Sequence, residues 1–224
     1  MVLKSIAQII SFIFHPLLIT TYMLVILLIV DPFGFGVNSI GDKYSKELIL
    51  RIFLSTFFIP AVAVVMLRLL GFIQSVEMKT TEERIAPYII TGIFYLWLFY
   101  NFLNNSNIPR TFTSFMLGGV IGLFIAFFIN IFSKISAHAV GMGGLLGMVI
   151  ITMALSNFDS FVLHSTIIGT FEFSMNALLV FVLLMTGLVG TSRLLLHAHE
   201  PFDVYGGYLV GFSSQFIALR FILF

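Results

Sequence analysis

The chain has 224 residues, of which 59% are hydrophobic and only 9% charged, and its mean hydropathy is +1.11. An ordinary soluble domain carries roughly 25% charged residues, so this composition excludes one and points to an integral membrane protein. The net charge of +1 argues against nucleic-acid partners, and the absence of cysteine excludes disulfides, thiolate metal sites and cysteine nucleophiles.

A bilayer-crossing helix needs about 20 mostly apolar residues, so the chain has room for about six or seven crossings and little else. The predicted fold is therefore an all-α polytopic bundle forming a single domain over residues 1–224. One lysine precedes an apolar run from Ser5 to Val30 that has no small-residue cleavage site, so the run is expected to be a retained first span over 6–30. A turn-rich stretch from Asp31 to Lys46 separates it from spans predicted at 47–73 and 87–103, and the N-N-S-N-I-P-R run leads into a span at 110–133. Further spans are predicted at 138–155, 175–196 and 203–223. The apolar pieces of 157–173 are too short to cross and carry Asp159, His164 and Glu172, so a re-entrant or interfacial hairpin is expected there.

Consecutive spans alternate direction, so the loops after spans two, four and six emerge on one face. The first contains Lys79, Glu82, Glu83 and Arg84, the second Lys134, Ser136 and His138, and the third Ser192, Arg193, His197, His199, Glu200 and Asp203. An ionisable group near hydrocarbon costs about 2.5–3.5 kcal/mol even on insertion scales, which makes these residues functional candidates. The opposite loops hold Lys43, Lys46, Arg51, Arg110 and Arg220 and, apart from His164, no histidine.

In the third loop His199 and Asp203 are four residues apart, with Pro201 between them at a position suited to a first helical turn. A carboxylate so placed accepts a hydrogen bond from one imidazole N–H, fixes the tautomer and leaves the other nitrogen nucleophilic. Arg193 offers a planar fork of donors that matches phosphate oxygens. The plainer alternative is a snorkelling interfacial arginine beside a helix-capping His–Asp pair. In the second loop Ser136 stands at a helix start, where unpaired N–H groups attract anions, and His138 follows it. Gly141, Gly143 and Gly144 are expected to permit close helix packing. In the first loop Lys79 and Arg84 are nearly neutralised by Glu77, Glu82 and Glu83, and alone they read as a solvated cluster. Pro87 is expected to keep Ala86 out of helical geometry. His15, before Pro16, and His164 are expected to be packing or interface residues.

These residues resemble a family. Ser192-Arg193, five residues, His199, three residues and Asp203 match in full the third signature of the type 2 phosphatidic acid phosphatase superfamily. Ser136-Ala137-His138 is similar to its second signature, Pro-Ser-Gly-His, with Ile135 and Ala137 in place of Pro and Gly. The first signature, Lys, six residues, Arg-Pro, is present in part: Lys79 leads to Ala86-Pro87, and Arg84 stands two positions early. The resemblance covers 79–224 and leaves 1–73, with the first two spans, outside it. It implies metal-independent hydrolysis of a lipid-borne phosphomonoester or pyrophosphate, without a cofactor, by a helical core with its site at one membrane face. By resemblance His199 is the nucleophile, Asp203 orients it, and His138 protonates the leaving oxygen. Arg193, Ser136, Lys79 and Arg84 hold the phosphate.

Two other readings stay open. One is a catalytically silent member that binds or transports an anionic lipid, which the altered first and second signatures would suit. The other is an intramembrane metalloenzyme using His138, His199 and Asp203 with His197 or Glu200. Orientation follows from the cations. The site side carries Lys4, Arg68, Lys79, Arg84, Lys134 and Arg193 against five on the other. Discounting Lys79, Arg84 and Arg193 as phosphate ligands leaves an excess on the other side, which is expected to be cytoplasmic.

Overall fold

A computed structural model describes residues 2–76, 78, 80–156, 158–165 and 169–223; Lys79, Glu77 and the side chain of His164 lie outside the described residues. The chain is a bundle of apolar helices, and among the described residues six helical stretches are long and apolar enough to cross a membrane: 43–69, 82–103, 110–132, 137–155, 175–195 and 201–223. This is an integral, multi-pass membrane protein.

The predicted span at 6–30 is not one helix. It consists of α1 (Val2–Ile13) and α2 (Pro16–Val30), bent by 60°. Pro16 has no N–H to donate and disfavours helical geometry in the residue before it, and His15 accordingly takes φ −61° and ψ 135°. The His15 Nδ1 then accepts the Leu17 N–H at 3.3 Å, capping α2.

The second span is also interrupted. It runs through α3 (Lys43–Phe53), a π turn (Leu54–Phe58) and α4 (Ile59–Leu69). Pro60 removes a donor and crowds the carbonyl four residues back, and the widened turn accommodates both.

After a 3₁₀ turn (Glu82–Arg84) comes α5 (Ile85–Leu103), then α6 (Arg110–Phe132) and α7 (Ala137–Leu155). Ala86 is helical, contrary to the expectation from Pro87. Pro87 sits in the first turn of α5, where its missing N–H would have had no intrahelical partner. The segment expected to be a hairpin forms an antiparallel pair, β1 (Ser160–Ser165) and β2 (Gly169–Ser174), with Phe161 opposite Phe173 and Val162 opposite Glu172. It leads into α8 (Met175–Leu195), and the chain continues through α9 (Pro201–Leu223).

The core that matters for the site is the packing of α9 against α6 and α7. Glycines set the distance. A Cβ at Gly211 would collide with the Val140 carbonyl, one at Gly143 with the Tyr208 carbonyl, and one at Gly207 would lie 2.8 Å from the Ser136 carbonyl. Backbones can meet this closely only where side chains are absent. A Cβ at Gly141 would lie 2.9 Å from the Ile19 side chain of α2. This close approach brings the first turns of α7 and α9 together, and the Ser136 N–H donates to the Asp203 carbonyl at 3.3 Å.

Candidate functional site

The local chain at the third loop fixes His199 and Asp203 before any tertiary contact is considered. The end of α8 closes as a paired-bond turn: the His197 N–H donates to the Leu194 carbonyl at 2.9 Å and the Ala198 N–H to the Arg193 carbonyl at 3.1 Å. His197 takes φ 51° to make that reversal. Pro201 opens α9, and the Asp203 carboxylate reaches back to accept the Glu200 N–H at 3.1 Å. The same oxygen, Oδ2, pairs with the His199 Nδ1 at 3.3 Å. The capping role and the histidine-orienting role therefore belong to one carboxylate. Both side chains are withdrawn from solvent, with exposures of 3% for His199 and 13% for Asp203.

A carboxylate on Nδ1 holds the ring proton there and leaves Nε2 with its lone pair. Burial, with the Arg84 and Arg193 guanidiniums adding to it and Asp203 opposing, pushes His199 down to about 4. The imidazole is neutral at physiological pH, the state a nucleophile requires.

The second loop supplies Ser136 and His138. Ser136 is fully buried and caps α7, its hydroxyl oxygen accepting the Ala139 N–H at 3.4 Å. The His138 Nε2 donates to the Ser11 carbonyl at 3.0 Å, because a carbonyl can only accept. That leaves Nδ1 as the ring atom able to exchange a proton.

The first loop reaches the same place through Arg84. Its Nε donates to the Met78 carbonyl at 3.0 Å and its Nη1 to the Ile135 carbonyl at 3.4 Å, next to Ser136. The 3₁₀ turn supplies the irregular backbone that lets an arginine two residues early face the second loop. Asn130, near the end of α6, donates to the Thr81 carbonyl at 2.9 Å and holds this loop down.

The structure thus brings together Arg84, Ser136, His138, Arg193, His199 and Asp203, and Lys79 lies outside the described residues. Sequence reasoning assigned no site role to two residues that stand beside this group. Lys134 is held below the usual lysine range by partial burial and by the Arg84 and Arg193 charges, while the Asp203 carboxylate opposes them. Its place two residues before Ser136 was the available signal. His15 stands edge-on to His138, with ring centroids 5.7 Å apart. Its expected packing role understated its position, and the His-Pro dipeptide signalled only the helix break.

Among the described residues no three of His, Asp and Glu are grouped to hold a metal ion. At the other end of the bundle a cavity of about 620 Å³ is lined by Asn105, Arg110 and Phe221 among others, with no histidine or carboxylate in its wall. Comparison with family models, with curated proteins and with solved structures finds no match for this chain.

Proposed function

We propose that this protein is a membrane-embedded lipid phosphate phosphatase that works through a phosphohistidine. The observation that carries the reading is the buried His199–Asp203 pair at 3.3 Å, with the Arg84 and Arg193 charges acting on the same imidazole. A neutral nucleophile beside two cations suits attack on an anionic phosphoryl group, a reaction that depends chiefly on positioning and charge stabilisation.

In the proposed reaction His199 Nε2 attacks phosphorus and the bond to the leaving oxygen breaks. Protonated His138 gives that oxygen its Nδ1 proton. Water then attacks the phosphohistidine, His138 takes a proton from it, and orthophosphate leaves. Arg84 and Arg193, and by resemblance Lys79, neutralise the transferring group, and by resemblance Ser136 donates a hydrogen bond to it. A site at the end of membrane helices suits a phosphate carried by a lipid, such as phosphatidic acid, phosphatidylglycerol phosphate or a polyprenyl phosphate or pyrophosphate.

Purified protein should release orthophosphate from at least one member of such a panel, unaffected by EDTA and inhibited by vanadate. Tight binding of a lipid phosphate with no release would favour the silent binding reading, and loss in EDTA restored by zinc would favour a metalloenzyme. We further propose that the site faces away from the cytoplasm. A cysteine placed at Asn105 should then be protected from an impermeant thiol reagent in intact cells, and labelling there would reverse the orientation.

A further inference from the structure

The first two spans contain none of the signature residues, yet the break in the first lies beside His138 and the break in the second beside His15. The last turn of α1 places the Ser11 carbonyl on the His138 Nε2 at 3.0 Å. Four residues later the chain breaks at His15, whose ring stands edge-on to His138 at an interplanar angle of 75°. On another side His15 meets Phe57, with centroids 6.0 Å apart and planes at 80°. Phe57 belongs to the π turn, which holds more residues per turn than an α-helix and so rotates Phe57 relative to the α3 frame. Two prolines, Pro16 and Pro60, therefore underlie a chain of ring contacts that runs from Phe57 through His15 to His138.

We infer that His15, backed by Phe57, is a positioning residue for His138, and that the Ser11 carbonyl fixes the His138 proton on Nε2 so that Nδ1 serves the reacting oxygen. The first two spans are then the support of the general acid, as Asp203 is of the nucleophile. The kinetic consequence rests on the phosphatase reading; the geometric one does not. The competing role for His15 is purely local, since its Nδ1 caps α2 through the Leu17 N–H.

Two substitutions separate these roles. His15→Asn keeps a short acceptor at the cap and removes the ring, while His15→Phe keeps a ring and removes the acceptor. General acid–base catalysis contributes about 10²–10⁴-fold, so His15→Asn should lower kcat on a lipid phosphomonoester about tenfold or more, with KM little changed. His15→Phe should recover most of that loss. Nitrogen chemical shifts of histidine-labelled protein should show His138 with its proton on Nε2 in the parent and in His15→Phe, and a mixture of tautomers in His15→Asn. The reverse pattern, with His15→Phe impaired and His15→Asn normal, would reduce His15 to a helix cap and overturn the inference. So would an unchanged rate and tautomer in His15→Asn. If the parent hydrolyses no lipid phosphate the phosphatase reading fails, and the tautomer comparison still decides the positioning role.

Discussion

The helices of residues 137–223 approach one another through glycine, whereas those of residues 2–69 are shaped by proline. At Gly207 and Gly211 of α9 the neighbouring α7 comes so near that a main-chain N–H at Ser136 bonds the Asp203 carbonyl. Backbone contact of this kind locks two loops into one rigid frame, which suits residues that, on the proposed reading, hold a reacting phosphorus in register. At Pro16 and Pro60 the helices open, and side chains at the breaks meet in a row, Phe57 on His15 and His15 on His138. The comparison teaches that, on the proposed reading, the signature residues do not include everything that holds the site together. Part of the support is written in glycine contacts and helix breaks, which carry no chemical motif.

The widest gap between the two regions should appear on removing the nucleophile. His199→Ala is expected to abolish turnover, a loss of at least about 10³-fold, and Asp203→Asn to lower kcat strongly while leaving lipid binding near normal, because orientation and not charge capture is lost. Steady-state kinetics with a lipid-binding measurement would check both, and an active His199→Ala would place the chemistry elsewhere. Next comes Arg84→Ala, expected to cost about 10²–10³-fold as the loss of a preorganised cation at a buried site, with Arg84→Lys recovering only part. Kinetics indistinguishable from the parent would leave Arg193, Lys134 and Lys79 to hold the phosphate without it.

The glycine frame can be broken separately. Gly211→Ala forces a methyl group into the Val140 carbonyl and should destabilise the protein by about 1–3 kcal/mol, while Gly206→Ala, whose Cβ meets nothing within 4 Å, should be close to neutral. Thermal melting in detergent compares them, and equal melting temperatures would mean the α7–α9 contact yields easily.

Acid sharpens the comparison further. Burial holds His199 at about 4 in the folded protein, against about 6.5 in the unfolded chain. Between those values the unfolded chain binds a proton that the folded one refuses, so stability is full above about pH 6.5 and declines as the pH falls toward 4. The parent should lose more melting temperature than His199→Gln between pH 7.5 and 4.5, and equal losses would contradict the buried neutral imidazole. The smallest effect is expected at exposed His197, which occupies a left-handed position favourable to glycine. His197→Gly should raise stability by about 0.5–1 kcal/mol and leave turnover unchanged. Loss of turnover there would revive the metal-ligand reading.

Hydropathy made most spans legible, because a helix in lipid must be apolar along its length, and span parity brought the three loops to one face. The His199–Asp203 pairing was readable for a similar reason: it is a four-residue spacing within one helix start, so local geometry decides it. The contact between His15 and His138 joins residues 123 positions apart, and no local rule brings them together. Pro16 announced a break without saying what the break would face, and the apolar run across it still read as one span. Pro87 misled for the opposite reason, since its effect depends on whether a helix has already begun or is only beginning. The β1–β2 pair was recognisable as a hairpin from its short apolar pieces, but not as strands, because its hydrophobic pattern is brief and mixed.

The central claim is that His199 carries the phosphoryl group in a covalent intermediate. Protein incubated briefly with a lipid phosphate labelled in its phosphorus, then quenched in alkali and digested, tests this most directly, since phosphohistidine survives alkali and is lost in acid. The label should map to the peptide containing His199, be absent from His199→Ala and accumulate in a variant slowed at His138. Label on another residue, or turnover without any covalent label under conditions that trap His138→Ala, would contradict the account.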